Sequence, residues 1–327
     1  MRIAVTGSIA TDHLMTFAGR FRDSLVVEQL DKISVSFLAD TLEIRRGGVA
    51  GNICFGMAAL GQQPLLVGAA GEDFGDYRSW LTRHGVNCDH VLISTTKHTA
   101  RFVCTTDDDM AQMATFYAGA MSEARLIELG PIEAAAPLDL VLIGANDPDA
   151  MLRHTDECRS RNITFVADPS QQLAFADGPF IRKLIEGADY LFTNEYEAHL
   201  TEQKTGWSAA DIEAQVTTRV ITKGKDGAVI ITRGEEPIEV PIAGETRRAD
   251  PTGVGDAFRA GFLTGLSSGL GHRRCAEIGS LLATYVLETV GTQEYVLDQA
   301  TFLDRLAQSY GDDSAAEVEP HITCVRR

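Results

Sequence analysis

The chain has 327 residues, 44% hydrophobic and 23% charged, long enough for two domains or for one large α/β domain with an insertion. Its formal net charge is −17, from 46 acidic against 29 Lys and Arg residues, which argues against nucleic acid and anionic membrane as partners. No stretch approaches the ~20 apolar residues of a membrane span. The six cysteines (Cys54, Cys88, Cys104, Cys158, Cys275, Cys324) lack any C-x-x-C spacing, so they read as free thiols of a reducing, cytoplasmic compartment rather than as a disulfide or zinc framework.

The start, Met1-Arg2-Ile3-Ala4-Val5-Thr6-Gly7, is strand-like and lacks the basic region and apolar run of a secretory signal. Residues 3–9 read as a buried strand. Residues 33–46 follow a period of two: Ile33, Val35 and Phe37 alternate with Ser34, Ser36 and Leu38, a half-exposed strand. A glycine-rich turn then opens a tightly packed helix that Gly61 ends. Residues 64–70 read as a buried strand and 76–84 as an amphipathic helix. Short strands return at 91–94, 99–105 and 113–117, with the acidic turn Asp107-Asp108-Asp109 between the last two.

From residue 138 the rhythm is regular. Strands at 138–144, 163–168 and 189–193 alternate with helices at 149–161, at 180–187 and from Asn194 onward, which implies a parallel sheet covered on both faces. Strands at 220–222 and 228–232 precede helices over 253–268, 272–289 and 298–310. Residues 312–327 lack periodicity and read as a loose tail. The predicted domain plan is an α/β core of residues 1–10, 47–96 and 119–311. Residues 11–46 and 97–118 interrupt it as alternating strands, able to pair into a small β lid.

Ala249-Asp250-Pro251-Thr252-Gly253-Val254-Gly255-Asp256-Ala257-Phe258 is a polar, glycine-rich turn running into an apolar helix, with Thr252 at the expected N-cap. Two glycines leave the backbone N–H groups open to an anion, and the helix dipole adds positive potential there. A carboxylate in such a place makes sense if Asp256 touches a hydroxyl about to attack that anion. A plain capped helix fits these ten residues equally well.

Four further stretches follow strands. Asp12, in Gly7-Ser8-Ile9-Ala10-Thr11-Asp12, stands where a ligand hydroxyl is met in an open parallel sheet, or forms a turn. In Gly47-Gly48-Val49-Ala50-Gly51-Asn52 two glycines allow close backbone approach, and Asn52 offers a donor and an acceptor suited to a vicinal diol. In Asn194-Glu195-Tyr196-Glu197, Glu197 suits a magnesium ion held directly or through water, and the same residues suit a capping box. Thr222-Lys223-Gly224-Lys225-Asp226-Gly227 lines a nucleotide or is an ordinary hairpin turn. The Walker A pattern is absent and no G-x-G-x-x-G follows the first strand, which counts against a P-loop enzyme and a Rossmann dehydrogenase.

The order of these motifs carries more than any one of them. G-G-x-x-x-N near residue 50, N-x-x-E near 195, T-x-G-x-x-G near 222 and D-x-T-G-x-G-D near 250 resemble the ribokinase-type (PfkB) carbohydrate kinase family. The likeness runs from Ala4 to about residue 311. Residues 3–15, Asp168-Pro169-Ser170-Gln171-Gln172-Leu173 and Glu288-Thr289-Val290-Gly291-Thr292-Gln293-Glu294 look like the adenosine kinases of actinobacteria. Pro251 departs from the wider family's Thr; it removes an N–H but pre-sets φ.

The resemblance implies a ribokinase-like α/β fold: a mainly parallel sheet with helices on both faces and a small β-sheet lid, paired into a homodimer through that lid. It implies ATP- and Mg²⁺-dependent phosphorylation of the 5′-hydroxyl of adenosine, in purine salvage. By motif position, Asp256 would be the catalytic base, with Gly253, Val254 and Gly255 as the anion hole. Ser8, Asp12, Ser36, Gly48, Asn52, Phe102, Phe116 and Gln172 would bind nucleoside, Phe102 and Phe116 by clamping the purine unless they are simply lid core. Gln171 is a second amide near the base. Asn194, Thr222, Gly224, Gly227 and Gly255 would bind ATP. Glu197 would serve Mg²⁺, while Asp250 and Thr252, with the loop of residues 290–292, would hold a monovalent cation such as K⁺. A sugar or sugar-phosphate kinase of the same family is the alternative, though a sugar-phosphate kinase needs cations for the substrate phosphate and the lid offers few besides Arg45, Arg46 and Arg101. A non-catalytic binding relative is disfavoured because the Asp256 turn is intact.

Overall fold

The computed structural model describes residues 1–24 and 36–324. Thirteen strands are named among them: β1 (Ile3–Thr6), β2 (Ala10–Thr16), β3 (Thr41–Gly47), β4 (Leu65–Gly71), β5 (Val91–Ser94), β6 (Ala100–Thr106), β7 (Gln112–Tyr117), β8 (Leu140–Ile143), β9 (Thr164–Ala167), β10 (Tyr190–Asn194), β11 (Thr218–Thr222), β12 (Ala228–Thr232) and β13 (Ile238–Val240). Nine form one sheet in the order β13-β12-β11-β10-β9-β8-β1-β4-β5, and four form a separate sheet in the order β3-β2-β6-β7. The large sheet is parallel except for β12 and β13, which return as antiparallel hairpin strands. The fold is therefore the expected ribokinase-like one.

The core strands are buried on both faces because helices cover each side. β1, β4 and β8 read as near-continuous apolar runs for that reason. On one face the helices Val49–Ala59, Val254–Ser267 and His272–Leu287 pack into one apolar cluster, while Pro148–Arg161 and Gly178–Ile185 belong to a second cluster on the other face. The first group packs unusually closely. A Cβ on Gly261 would stand 2.6 Å from Gly279 Cα, and one on Gly56 would stand 2.7 Å from Ala260 Cβ.

The small sheet grows from the C-terminal end of β1. β2 pairs antiparallel with β3 and parallel with β6, and β6 pairs antiparallel with β7. Registry places Arg45, Asp12, Phe102 and Phe116 in one row across its four strands, and directly opposed residues share a face. The alternating stretch expected at 33–46 is a strand only from Thr41; Ser36 to Asp40 have no strand, and residues 33–35 lie outside the described residues.

Residues 312–318 correct the expectation of a loose tail. They form the helix Asp312–Val318, followed by a short 3₁₀ turn. Val318 is fully buried, Ile322 is 3% exposed, and the Thr323 N–H donates to Leu60 O at 3.2 Å. Two widely spaced apolar residues leave no periodic signal, yet both enter the core. Removing the chain after Gly311 should therefore lower the unfolding free energy by roughly 3–6 kcal/mol, at 1.5–3 kcal/mol for each buried side chain. Urea unfolding of the truncated and full chains measures this, and coincident midpoints would refute it.

Candidate functional site

The site opens beyond the C-terminal ends of the parallel strands, where ligands gather in open α/β sheets. β1 ends at Thr6, β9 at Ala167, β10 at Asn194 and β11 at Thr222. The segments that follow carry Ser8, Asp168, Glu197 in the first turn of the helix Glu195–Thr205, and Gly224. A cavity of about 590 Å³ is lined by Asn194, Glu197, Thr222, Gly224 and Gly227 on one side and by Gly253, Val254, Gly255 and Asp256 on the other. Two sequence-distant motif groups thus meet in one cleft, with Gln171 on its wall.

The turn before the second group differs from expectation. Its N-cap is Gly253, in the left-handed region at φ 79°, and no side chain caps the helix Val254–Ser267. Thr252 lies one residue earlier, and its N–H donates to Asp250 Oδ1 at 2.9 Å. An uncapped start leaves first-turn N–H groups for a ligand rather than for a side chain. Gly253 is fixed by conformation and by room, since a Cβ there would stand 2.8 Å from Thr292 Cγ2.

Asp256 projects from that first turn. Its Oδ2 accepts from Asn52 Nδ2 at 2.8 Å. Burial pushes its carboxyl up to about 6, while the bond from Asn52 and the charge of Arg259 oppose the rise. Asn52 lies in the helix Val49–Ala59, one turn before Gly56, and Asp256 one turn before Ala260. The close Gly56–Ala260 approach is what brings them together. The other end of the Asn52 amide, Oδ1, lies 2.9 Å from Thr292 Oγ1 and 2.9 Å from Gln293 Nε2.

Arg259 is a site residue that the motifs do not flag. Its Nε and Nη2 donate to the two oxygens of Asp168 at 2.5 and 2.6 Å, and its Nη1 donates to Gly255 O at 3.0 Å. Nη2 also lies 3.9 Å from Glu197 Oε2. One buried guanidinium thus serves three carboxylates: Asp168, Glu197 and Asp256. An arginine inside the apolar run Ala257-Phe258-Arg259-Ala260-Gly261-Phe262 was the available signal, since a buried cation requires partners.

Other expected residues have definite structural tasks. Asn194 and Glu197 form a reciprocal capping box, Asn194 N donating to Glu197 Oε2 at 2.8 Å and Glu197 N to Asn194 Oδ1 at 2.7 Å. Glu197 Oε1 takes no part in it. Ser8 Oγ accepts from Val49 N at 3.0 Å. Gly48 has φ 90°, and a Cβ there would stand 2.6 Å from Ala10 N and Ser8 O, so its place is set by packing. Gln172 donates through Nε2 to Asn146 O at 2.7 Å and does not line the cavity. Ser36 is exposed and also outside the cavity.

Asp12 faces the same region from the small sheet. Burial pushes its carboxyl up to about 6, with Arg45 opposing and Asp250 adding to the rise. Asp250 accepts from Thr252 N through Oδ1 and from Gly291 N through Oδ2 at 3.2 Å, and Arg45 Nη1 lies 3.6 Å from Oδ2. Both oxygens already face N–H donors, and a guanidinium supplies the positive charge. This arrangement does not fit the monovalent cation expected at Asp250 and Thr252.

Replacing Arg259 with Met should leave Asp168 buried and unpaired, costing about 3–5 kcal/mol of stability. Urea denaturation at neutral pH measures the loss. A double replacement, Arg259→Met with Asp168→Leu, should recover most of it; equal loss in both variants would refute the pairing as the cause.

Comparisons with known proteins point to one family and fold. Residues 10–299 match the pfkB family carbohydrate kinase pattern. A nucleoside kinase of Methanocaldococcus jannaschii is 28% identical over 294 residues, covering 89% of this chain and 92% of that protein. The ligand-free structure of a Burkholderia thailandensis nucleoside kinase is 34% identical with a TM-score of 0.85, covering 93% of this chain and 99% of that one. The structure of the same enzyme in complex with ADP-inosine gives 34% identity and a TM-score of 0.80, over 94% and 96% of the two chains. The motif order, the nine-stranded sheet with its four-stranded companion, and the uncapped helix bearing Asp256 all meet in one assignment: the chain belongs to the pfkB family of carbohydrate kinases.

Proposed function

We propose that the protein is an ATP-dependent nucleoside kinase that phosphorylates the 5′-hydroxyl of a purine nucleoside, adenosine foremost, yielding AMP and ADP in purine salvage. The observation that carries this reading is Asp256 at an uncapped helix start, in a cleft whose far wall is the Thr222–Gly227 turn. The nucleoside kinases named above support the substrate class.

In this reading the γ-phosphoryl group rests on the N–H groups of Gly253, Val254 and Gly255, that of Val254 shared with Pro251 O at 3.4 Å. The 5′-hydroxyl attacks in line, forming an O–P bond as the bond between the γ-phosphorus and the bridging oxygen breaks. ADP leaves and Asp256 takes the proton. Phosphoryl transfer through a loose transition state depends on positioning and charge neutralisation, and a weak base suffices. Burial makes Asp256 a better base than an exposed Asp, at the price of needing Arg259 nearby. Magnesium bound with ATP neutralises phosphate charge, and Glu197, with Oε1 outside its capping bonds, is the carboxylate suited to hold it directly or through water. Closure of the small sheet over the cleft would exclude water and suppress ATP hydrolysis.

We assign Asp12, Asn52 and Gly48, none of which lines the nucleotide cavity, to a ribose site that Asn52 joins to Asp256, and Phe102 and Phe116, paired across β6 and β7 in the same row as Asp12, to a base site. Ser8, Ser36 and Gln172 are left with outer contacts, whereas Gln171 stands on the wall of the nucleotide cavity. A substrate phosphate finds little to bind. Arg45 is paired with Glu43 at 2.5 Å, Arg46 lies 4.1 Å over the Trp80 ring and 3.5 Å from Glu294, and Arg101 is paired with Asp73 at 2.5 Å. These pairings favour a nucleoside over a sugar phosphate.

A coupled ADP-release assay with MgATP and adenosine, inosine, ribose or fructose 6-phosphate tests the reading. Adenosine should be turned over fastest, and a preference for ribose or fructose 6-phosphate would overturn it. Asp256→Asn should lower kcat by about 10²–10⁴-fold, and wild-type activity should fall as pH drops through about 6, where Asp256 takes a proton. Phe102→Ala should raise the nucleoside KM about tenfold, from ~1–3 kcal/mol of stacking, with kcat little changed.

The opposite face of the small sheet presents Leu42 and Ile44 on edge strand β3, 56% and 60% exposed, and Met113 on the far edge strand β7. We assign this face to a homodimer contact. Ile44→Glu should convert the protein to monomer in analytical ultracentrifugation, and a wild-type chain that sediments as monomer at micromolar concentration would dismiss the contact. No helix among the described residues is long and apolar enough to cross a membrane, and the unpaired cysteines suit a cytoplasmic setting.

A further inference from the structure

A chain of buried polar contacts connects the small sheet with Asp256. Gly47 is the last residue of β3, and its carbonyl accepts from Tyr77 OH at 3.0 Å. Having spent its proton there, the Tyr77 oxygen can only accept from its other neighbour, and Gln293 Nε2 donates to it at 2.6 Å. The second N–H of the same amide donates to Asn52 Oδ1 at 2.9 Å. With its carbonyl end so engaged, Asn52 must turn its NH₂ toward Asp256, where the 2.8 Å contact lies. Each link fixes the direction of the next, from Gly47 O to the Asp256 carboxylate.

Three features show that this chain is held rather than incidental. Tyr77 is 4% exposed and Gln293 1%. A Cβ on Gly51 would stand 2.3 Å from Tyr77 OH, so the glycine makes room for the hydroxyl. Gln293 Oε1 is buried with no hydrogen-bond partner, a cost accepted so that the nitrogen can serve two acceptors. Thr292 adds a second tie, since its hydroxyl lies 2.9 Å from Arg46 O as well as from Asn52 Oδ1. Arg46 and Gly47 are adjacent in β3, so the loop of residues 292–293 meets the end of the lid strand at the Arg46 carbonyl directly and at the Gly47 carbonyl through Tyr77.

We propose that Gln293 and Tyr77 are positioning residues that convert the seating of β3 into a fixed orientation of the Asn52 amide, and thereby hold Asp256 ionised and aimed. The inference rests on the nucleoside kinase reading, in which Asp256 accepts the proton of the attacking hydroxyl. If β3 leaves its seat, Tyr77 loses its acceptor and the amide of Asn52 loses its directing donor. A flipped Asn52 would present its oxygen to Asp256, an arrangement that suits only the protonated acid. Reactivity at Asp256 is then coupled to the closed small sheet by hydrogen bonds, without any side chain of the sheet touching the carboxylate.

Two variants test this. Tyr77→Phe removes only the hydroxyl, and Gln293→Met removes both donors at nearly constant volume. Each should lower kcat for adenosine about tenfold, the loss of one directing hydrogen bond of ~1.4 kcal/mol. In each the acid limb of kcat should move to higher pH, because the bond that favours the ionised carboxylate is weakened. KM for MgATP should stay unchanged, since neither residue lines the nucleotide cavity. Thermal melting with and without MgADP keeps the test valid: only variants that melt cooperatively and shift with MgADP are assayed, and Tyr77→Phe stands in where Gln293→Met fails. Unchanged kcat and an unmoved acid limb in a folded variant overturn the inference. So does a fall in kcat with the limb unmoved, the signature of a merely structural role. Wild-type protein that turns over no nucleoside overturns the functional reading instead, which keeps the two failures apart.

Discussion

The site depends on how closely two helices cross. Val49–Ala59 and Val254–Ser267 meet where Gly56 faces Ala260, and no side chain larger than a methyl separates them. One turn toward each N-terminus, the gap is small enough for a single amide to bridge it, and Asn52 reaches Asp256. An added Cβ at Gly56 would push the helices apart and open that contact first. Packing in the core and polarity at the site are therefore one design: apolar contact sets the distance that the hydrogen bond uses.

The same closeness creates an electrostatic problem. Asp168, Glu197 and Asp256 are all drawn toward a buried region of a protein whose formal net charge is −17. Burial pushes Asp256 and Glu197 upward, and each neighbouring carboxylate adds to the effect. Arg259 offsets this from the next turn of the helix that carries Asp256, bound through Nε and Nη2 to Asp168. Its own charge is reinforced by those partners, which outweigh the cost of burial. The helix N-terminus then stays positive enough to suit an anion despite the acid around it. At the other edge, Arg45 performs a similar service between Asp12 and Asp250.

Much of this was readable from residues alone, and the remainder was not, for identifiable reasons. Alternating strands and helices point to the large sheet because a parallel strand covered on both faces must be apolar at its centre, as β8 is throughout and as Phe165–Ala167 of β9 and Leu191–Phe192 of β10 are. The glycine turn before Asp256 is visible in the sequence, which points to Thr252 as its cap. A threonine suits an N-cap by composition, whereas the left-handed φ of Gly253 is a property of the loop packed on Thr292. Asn52 read as a diol ligand because an amide offers both a donor and an acceptor. Only the fold shows both ends already engaged by residues 204 and 241 positions away. Tyr77 and Gln293 left no trace in periodicity, since one is buried on an amphipathic helix and the other lies in a loop. The tail helix escaped because Val318 and Ile322 are too few to make a pattern, although both are buried.

The small sheet carries two roles on two faces, and its registry separates them. One row joins Arg45, Asp12, Phe102 and Phe116, so a cation, a carboxylate and two aromatic rings share one face of the sheet. The residues next to them along each strand point the other way. There Ile44, His13, Val103 and Thr115 form the adjacent row, and Leu42, Met15, Thr105 and Met113 the one after it. A one-residue slip of β3 would exchange the faces, exposing Arg45 outward and turning Ile44 toward the cleft. What prevents the slip is the end of the strand, where the Arg46 and Gly47 carbonyls are bound by Thr292 and Tyr77. The bonds that set the register of the sheet are thus the bonds that begin the chain to Asp256. In the proposed reading, a sheet in the wrong register could neither stack a base nor direct the base catalyst.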